Sequence, residues 1–361
     1  MNDIELKLSK QHNRNFCALV GNGTTALYLA LMLMGEGKNV ALPNNVCMNV
    51  LLAVYFSNNI PVFVDIETKT LGIDIEQLKK INVDCVIAVH GYGNVCNIDN
   101  IEIYCRQNNI FLIEDVAVAY GMIFKNRTLG NWGDISIFSF GAGKNIDIGH
   151  GGAVLMDDIK LYKEIKKLIS TLDQYSLEKE KILNLIGKEH TKNYNIDCGN
   201  SLNNFSIEFK KLCLKNKENF LYQFDYGFIE KLATGLLNIN SLLLQRKQNS
   251  DYLIKKFQNI SEITILTPSN GSTYWRFNIF IKNNRDELFE YLLGLKYKIS
   301  SWYHSVDILF EKRKERNYPI SDWVAKNIIN IWVNEEIDKK YLDSISDEII
   351  KFLKEKNGRK I

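Results

Sequence analysis

Several things are missing from this sequence, and each absence narrows what it can be. No segment comes near the roughly 20 apolar residues that span a bilayer; the longest apolar stretches, 26–34 and 50–56, are half that length or less. The polar opening Met1-Asn2-Asp3-Ile4-Glu5 has no signal-peptide pattern, so neither a membrane nor an export route is expected. Charge of one sign is also missing. The 45 Lys and Arg and 42 Asp and Glu leave a net +3 spread along the chain, which gives no cationic field for nucleic acid. The basic run Lys312-Arg313-Lys314 is flanked by acids and reads as a solvated helix face. Seven cysteines form no CxxC pair and no regular framework, so reduced thiols in a cytoplasmic protein are expected, with no metal cluster. No repeat or low-complexity tract is present.

What is present suits a soluble globular chain: 46% hydrophobic, 24% charged, and long enough at 361 residues for a large domain plus a smaller one. Between about 17 and 157, continuously apolar runs of strand length alternate with helical segments. The runs include Val40-Ala41-Leu42, Pro61-Val62-Phe63-Val64, Cys85-Val86-Ile87-Ala88-Val89, Ile110-Phe111-Leu112-Ile113, Ile135-Ser136-Ile137-Phe138 and Ala153-Val154-Leu155-Met156. Unbroken apolar runs predict strands buried on both faces, hence an α/β fold with a mostly parallel sheet between helices. Residues 158–250 read as helical and polar, with an insertion or loop around 188–204. Beyond that a helix at 250–257, a strand at 274–281 and terminal helices read as a smaller α+β unit. The division is expected near 235–250, giving a large domain at 1–240 and a small one at 241–361.

Ligands in such sheets gather at the carboxyl ends of the strands, where Glu114-Asp115, His90 and Ser139 fall. Lys144 lies in the glycine-rich connection Gly141-Ala142-Gly143-Lys144, where flanking strands would bury its amine and favour the nucleophilic, neutral form. By position alone an exposed loop lysine is the commoner case. Asp115 would be a buried carboxylate in need of a positive partner, or equally a helix N-cap. Gly23-Thr24-Thr25 opens a helical run, where small residues and the helix dipole suit a phosphate. Ser139 could add a hydroxyl, or bond to backbone. An amine, an acid and phosphate donors are what pyridoxal 5′-phosphate (PLP) requires.

Asn22-Gly23-Thr24-Thr25-Ala26-Leu27, Pro61 through Ile66, Val89-His90-Gly91-Tyr92-Gly93, Ile113-Glu114-Asp115-Val116-Ala117, Gly133-Asp134 through Phe140, Lys144-Asn145 and Gly151-Gly152-Ala153-Val154 together resemble the DegT/StrS-type nucleotide-sugar aminotransferases. Ser301-Trp302-Tyr303-His304 and Tyr318-Pro319-Ile320 resemble the same family more loosely. The resemblance implies the PLP-dependent transferase fold type I and a homodimer with shared active sites. It implies Lys144 as the Schiff-base lysine, Asp115 as partner of the pyridinium, and Gly23, Thr24, Thr25 and Ser139 around the phosphate. His90, Tyr92, Tyr303 and His304 are implied on the substrate side. The implied reaction moves an amino group from an amino-acid donor, glutamate, to a keto carbon of a nucleotide-linked deoxysugar for surface glycan synthesis.

Three places depart from the family pattern. Val118 stands where Gln or His contacts the cofactor ring, so it can pack on the ring without a hydrogen bond. Cys47 stands where an aromatic stacks; a buried core cysteine and a cofactor contact are both open. The Asn that crosses from a neighbouring subunit to the phosphate aligns with Tyr194-Asn195 or with Asp225-Tyr226, the latter placing a carboxylate against a phosphate. His150, where a Glu is common, reads as a turn residue. Relatives that dehydrate the sugar at C3 carry His in place of the lysine, so Lys144 favours transamination. A PLP enzyme with another reaction or acceptor, and a non-catalytic nucleotide-sugar-binding relative, stay open.

Overall fold

Seven apolar strands pair into one twisted sheet in the computed structural model, which describes residues 1–196, 202–268, 272–310 and 316–358, the side chains of 191–196, 202–206 and 357–358 excepted. They are β1 (Phe16–Val20), β2 (Asn39–Pro43), β3 (Ile60–Val64), β4 (Cys85–Val89), β5 (Phe111–Asp115), β8 (Ile135–Ser139) and β9 (Gly152–Met156), with a small hairpin, β6 (Ile123–Phe124) and β7 (Arg127–Thr128), after β5. The sheet order is β1-β9-β8-β5-β4-β2-β3. Only β9 runs against its neighbours, pairing antiparallel with both β1 and β8, while β8, β5, β4, β2 and β3 pair in parallel.

The mostly parallel sheet expected from the apolar runs is therefore present, and the reason is burial on both faces. Side chains alternate along β1: Ala18 and Val20 join the core under the helices Gly23–Met32 and Met48–Phe56, whereas Cys17 and Leu19 join the opposite core with Ile98, Ile101 and Leu236.

The helix Ile229–Phe257 leaves the first unit and enters the second. Its Leu232, Leu236 and Ile239 pack under the large sheet, and its Leu253 and Phe257 pack in a separate core. The helix expected at 250–257 is thus the last two turns of a 29-residue one. That second core lies between this helix, the terminal helix Lys339–Gly358 and an antiparallel sheet of β10 (Ile263–Ile265), β11 (Phe277–Ile281), β12 (Ile299–Ser300) and β13 (Ile328–Ile331), ordered β10-β11-β13-β12. The strand expected at 274–281 starts only at Phe277. Tyr274 takes φ +48°, which is incompatible with an extended strand.

The two units are tied by a carboxylate. Asp65, fully buried just beyond β3, accepts from the backbone N–H groups of Ile320 (2.9 Å) and Ser321 (2.8 Å) and from the Ser321 hydroxyl (2.7 Å), capping the helix Pro319–Asn327. No helix among the described residues is long and apolar enough to cross a membrane.

Candidate active site

Asp115 closes β5, and the strand's alternation sends it and Glu114 to opposite faces of the sheet. Glu114, fully buried, accepts from the N–H groups of Gly130 (2.7 Å), Trp132 (2.8 Å) and Gly133 (3.3 Å) and meets Nε2 of His90 at 3.1 Å. The Nδ1 of His90 accepts the Cys96 N–H at 3.3 Å, so its Nε2–H faces Glu114. His90, expected on the substrate side, is fully buried in this pair and is not among the residues lining the cavity described next.

On the other face Asp115 lines a cavity of about 380 Å³ together with Gly23, Thr24, Cys47, Ser139 and Lys144. Its Oδ1 accepts the Ala117 N–H at 2.9 Å. Burial pushes its carboxyl above the usual range, against the pull of that N–H and of the nearby Lys144 charge. A buried carboxylate with one local donor is stable when a further cation meets it in the cavity.

The far wall is the start of the helix Gly23–Met32. Asn22 caps it, accepting from the Thr25 N–H at 2.7 Å and donating to the Phe220 carbonyl at 2.9 Å. Gly23 is pressed against the end of β8: a Cβ there would fall 2.9 Å from the Ser139 Cβ. That close approach brings the helix N-terminus and the strand-end hydroxyl into one cradle, with Thr24 beside them. Thr25 is placed differently. It is fully buried, and its hydroxyl donates to the Phe220 carbonyl (3.3 Å) and accepts from the Tyr222 N–H (3.4 Å), so it anchors the segment that closes the cavity.

Lys144 sits in a turn, its N–H donating to the Gly141 carbonyl at 3.2 Å, with Gly143 at φ +76°. It is half-buried and opens on the cavity, more exposed than the desolvated amine that the flanking strands predict. The turn is braced from the second unit: Trp275 Nε1 donates to the Gly143 carbonyl at 2.7 Å, and Arg246 reaches the Lys144 carbonyl at 3.5 Å and the Trp275 carbonyl at 3.1 Å. Cys47 is half-buried on the cavity wall. Burial pushes its thiol up, the Lys144 charge opposing, so it is a protonated, compact wall group.

A second cavity, about 220 Å³, shares Cys47, Met48, Asn49 and Gly187 with the first. Tyr303 and His304 line it, facing His190 of the helix Leu177–Ile196. Burial lowers the pKa of His190 to about 4 and that of His304 to about 3. Tyr92 lies behind this wall: its hydroxyl donates to Asn45 and accepts the Tyr303 N–H at 3.1 Å, so it supports Tyr303 and lines neither cavity. Val118 also stands apart, in a core with Ile66, Leu71 and Trp275, and its carbonyl accepts from Thr273 at 2.8 Å. His150 accepts the Asp225 N–H at 2.9 Å within a box of Tyr222, Phe224 and Phe228, its pKa lowered to about 4 by burial, in keeping with a turn-holding residue. The side chain of Asn195 and the residues Cys198 and Lys312-Arg313-Lys314 lie outside the described residues.

Trp275, Arg246, Gly187 and His190 were not singled out from sequence as site residues. Each reaches the site across a separation of 40 to more than 100 positions, and no local pattern marks such a contact.

A family model described as the DegT/DnrJ/EryC1/StrS aminotransferase family matches residues 1–200. GDP-perosamine synthase of Escherichia coli O157:H7 is 36% identical over 164 residues, 44% of this chain and 45% of that one, so the chain spans less than half of that relative's length. The dTDP-4-amino-4,6-dideoxy-D-glucose transaminase of Shigella dysenteriae is 28% identical over 299 residues, 80% of this chain and 71% of that one. The structure of Helicobacter pylori PseC, an aminotransferase involved in the biosynthesis of pseudoaminic acid, superposes with a TM-score of 0.78 over 96% of this chain and 89% of that one at 15% identity, which establishes the shared fold.

Proposed function

This chain belongs to the DegT/DnrJ/EryC1/StrS aminotransferase family, and on that premise we propose that it is a PLP-dependent aminotransferase acting on a nucleotide-linked keto-deoxysugar, with L-glutamate as donor, in surface glycan synthesis. The observation that carries the reading is that Lys144 and Asp115 share one cavity with a helix N-terminus and two hydroxyls.

These residues fit PLP. Asp115 is a buried acid short of a cation, matching a protonated pyridine nitrogen, and the Gly23–Ser139 contact leaves a cradle of N–H and O–H donors for a phosphate. When bound, the cofactor supplies an electron-withdrawing ring that makes the α-proton of an amino acid acidic and lets the amino group be carried to an acceptor. Lys144 would hold its aldehyde carbon and then move the proton at the substrate carbon. Asp115 would keep the ring nitrogen protonated by an ion pair in a dry site. Gly23, Thr24 and Ser139 would hold the phosphate, and Cys47 would sit against the ring. Tyr303 and His304 would face the sugar.

The relatives' printed activities support the acceptor class: perosamine and amino-dideoxyglucose are both amino sugars carried on nucleotides. We further infer a cytoplasmic homodimer with shared sites, Asn195 reaching the neighbouring phosphate, and a division into two domains within the helix Ile229–Phe257. The test is direct. Protein loaded with PLP should be yellow, borohydride should fix the cofactor on the Lys144 peptide, glutamate should bleach the colour, and GDP- or dTDP-linked 4-keto-6-deoxyhexoses should restore it. A colourless protein that takes up no PLP would overturn the reading.

A further inference from the structure

We propose that the smaller cavity is the seat of the substrate's sugar ring alone, and that Gly187 and His190 of the helix Leu177–Ile196 decide which ring it admits. This rests on the function proposed above and goes past it, because it separates the acceptor's subsite from the space used by the amino-acid donor.

Three observations carry it. The first is size and place: about 220 Å³ is below the roughly 300–1,000 Å³ of pockets that hold whole small molecules, so the cavity takes one part of a ligand. It joins the Lys144 cavity through the wall of Cys47, Met48 and Asn49, and a ring seated there can present a keto carbon towards Lys144.

The second is chemistry. The wall combines an aromatic face with hydrogen-bonding groups that carry no charge. Trp302 and Tyr303 stack, ring centroids 6.0 Å apart and planes within 15°, and such a face suits the C–H side of a pyranose. His190 and His304 offer imidazoles, and Asn49 an amide, to hydroxyls. Burial keeps both imidazoles in the neutral form near pH 7, so the two carboxylates of glutamate, or a diphosphate, would find no positive charge in them.

The third is Gly187. It lies in mid-helix on the wall common to both cavities, and a Cβ built on it meets nothing within 4 Å. Glycine at this place lowers helix propensity and gains no turn or positive φ in return. What it does leave is open space at the passage between the cavities.

The experiment uses the PLP-loaded protein. Titration calorimetry compares dTDP with dTDP-glucose and GDP with GDP-mannose, and stopped-flow absorbance follows bleaching by glutamate. Wild type should bind one sugar nucleotide about tenfold more tightly than its nucleoside diphosphate. Gly187→Leu, which a helix tolerates well, should abolish that preference; His190→Ala should cut it about fivefold. His190→Ala, at a residue that lines only the smaller cavity, should bind the nucleoside diphosphate, and be bleached by glutamate, as wild type does. The proposal is overturned if the variants keep the preference, or if in His190→Ala binding of the diphosphate and bleaching by glutamate fall along with it. A wild type that is bleached by glutamate but shows no preference for the sugar overturns it equally. A wild type that neither bleaches nor binds a nucleotide sugar overturns the function itself.

Discussion

Adjacent residues on one strand have opposite fates here. Asp115 faces the cavity and Glu114 the loop at 130–133, although both are buried acids at the same strand end. Asp115→Asn should weaken PLP binding roughly tenfold or more, the scale of a hydrogen bond to a charged group, and cut turnover; absorbance titration checks the first. Lys144→Ala should leave no cofactor fixed by borohydride and lower turnover by about 10²–10⁴, the range of a lost acid–base group. Glu114→Ala should act on stability, costing about 3 kcal/mol or more in urea unfolding, because the His90 Nε2 and three N–H groups are left as buried donors without an acceptor. Thr25 and Ser139 divide in the same way. Ser139→Ala should weaken PLP binding, while Thr25→Val should cost about 1 kcal/mol of stability, measured by unfolding, through the loss of its bond to Phe220.

At the scale of elements, the turn that carries Lys144 is held by the second unit. Its own bonds are short-range: Gly143 N–H to Asp147 at 2.6 Å and Ile148 N–H to the Phe140 carbonyl at 2.9 Å. Trp275 just before β11 and Arg246 on the helix Ile229–Phe257 supply the rest. Trp275→Phe keeps the ring and removes the bond to Gly143. It should lower turnover several-fold, with little change in PLP affinity, because the phosphate cradle belongs to other elements; paired kinetic and absorbance titrations separate the two. The apolar runs named six of the seven strands of the large sheet and left out β1, the pattern being legible because both faces of that sheet are covered. They were less informative in the second unit, where β10, β12 and β13 are two to four residues long and carry too little pattern to announce themselves.

For the whole molecule, acid should destabilise through buried imidazoles. His12, its ring bonded to the Leu129 carbonyl at 2.7 Å, and His150 both have their pKa lowered by burial to about 4 from an ordinary 6.5. Between those values the unfolded chain binds protons that the folded chain does not. Stability therefore falls as pH drops from about 6.5 towards 4, by up to about 1.4 kcal/mol per pH unit for each such histidine. Urea unfolding at pH 7 and pH 5 checks this, and His12→Asn should flatten the slope; an unchanged slope would remove His12 from the account.

Read alone, the sequence determined the alternation of buried strands and helices, the placing of Asp115 and Ser139 at strand ends, and the glycine-rich turn around Lys144, because all of these follow from short-range periodicity and backbone chemistry. Which side of the sheet a strand-end residue serves was decided only by tertiary structure: His90 and Glu114 close on each other behind it, and Val118 is absorbed into a core. The same holds for Trp275, Arg246, Gly187 and His190, whose places depend on contacts between units far apart in the chain. Such contacts are set by how the two cores pack along one helix, and the pattern of neighbouring residues carries no trace of them.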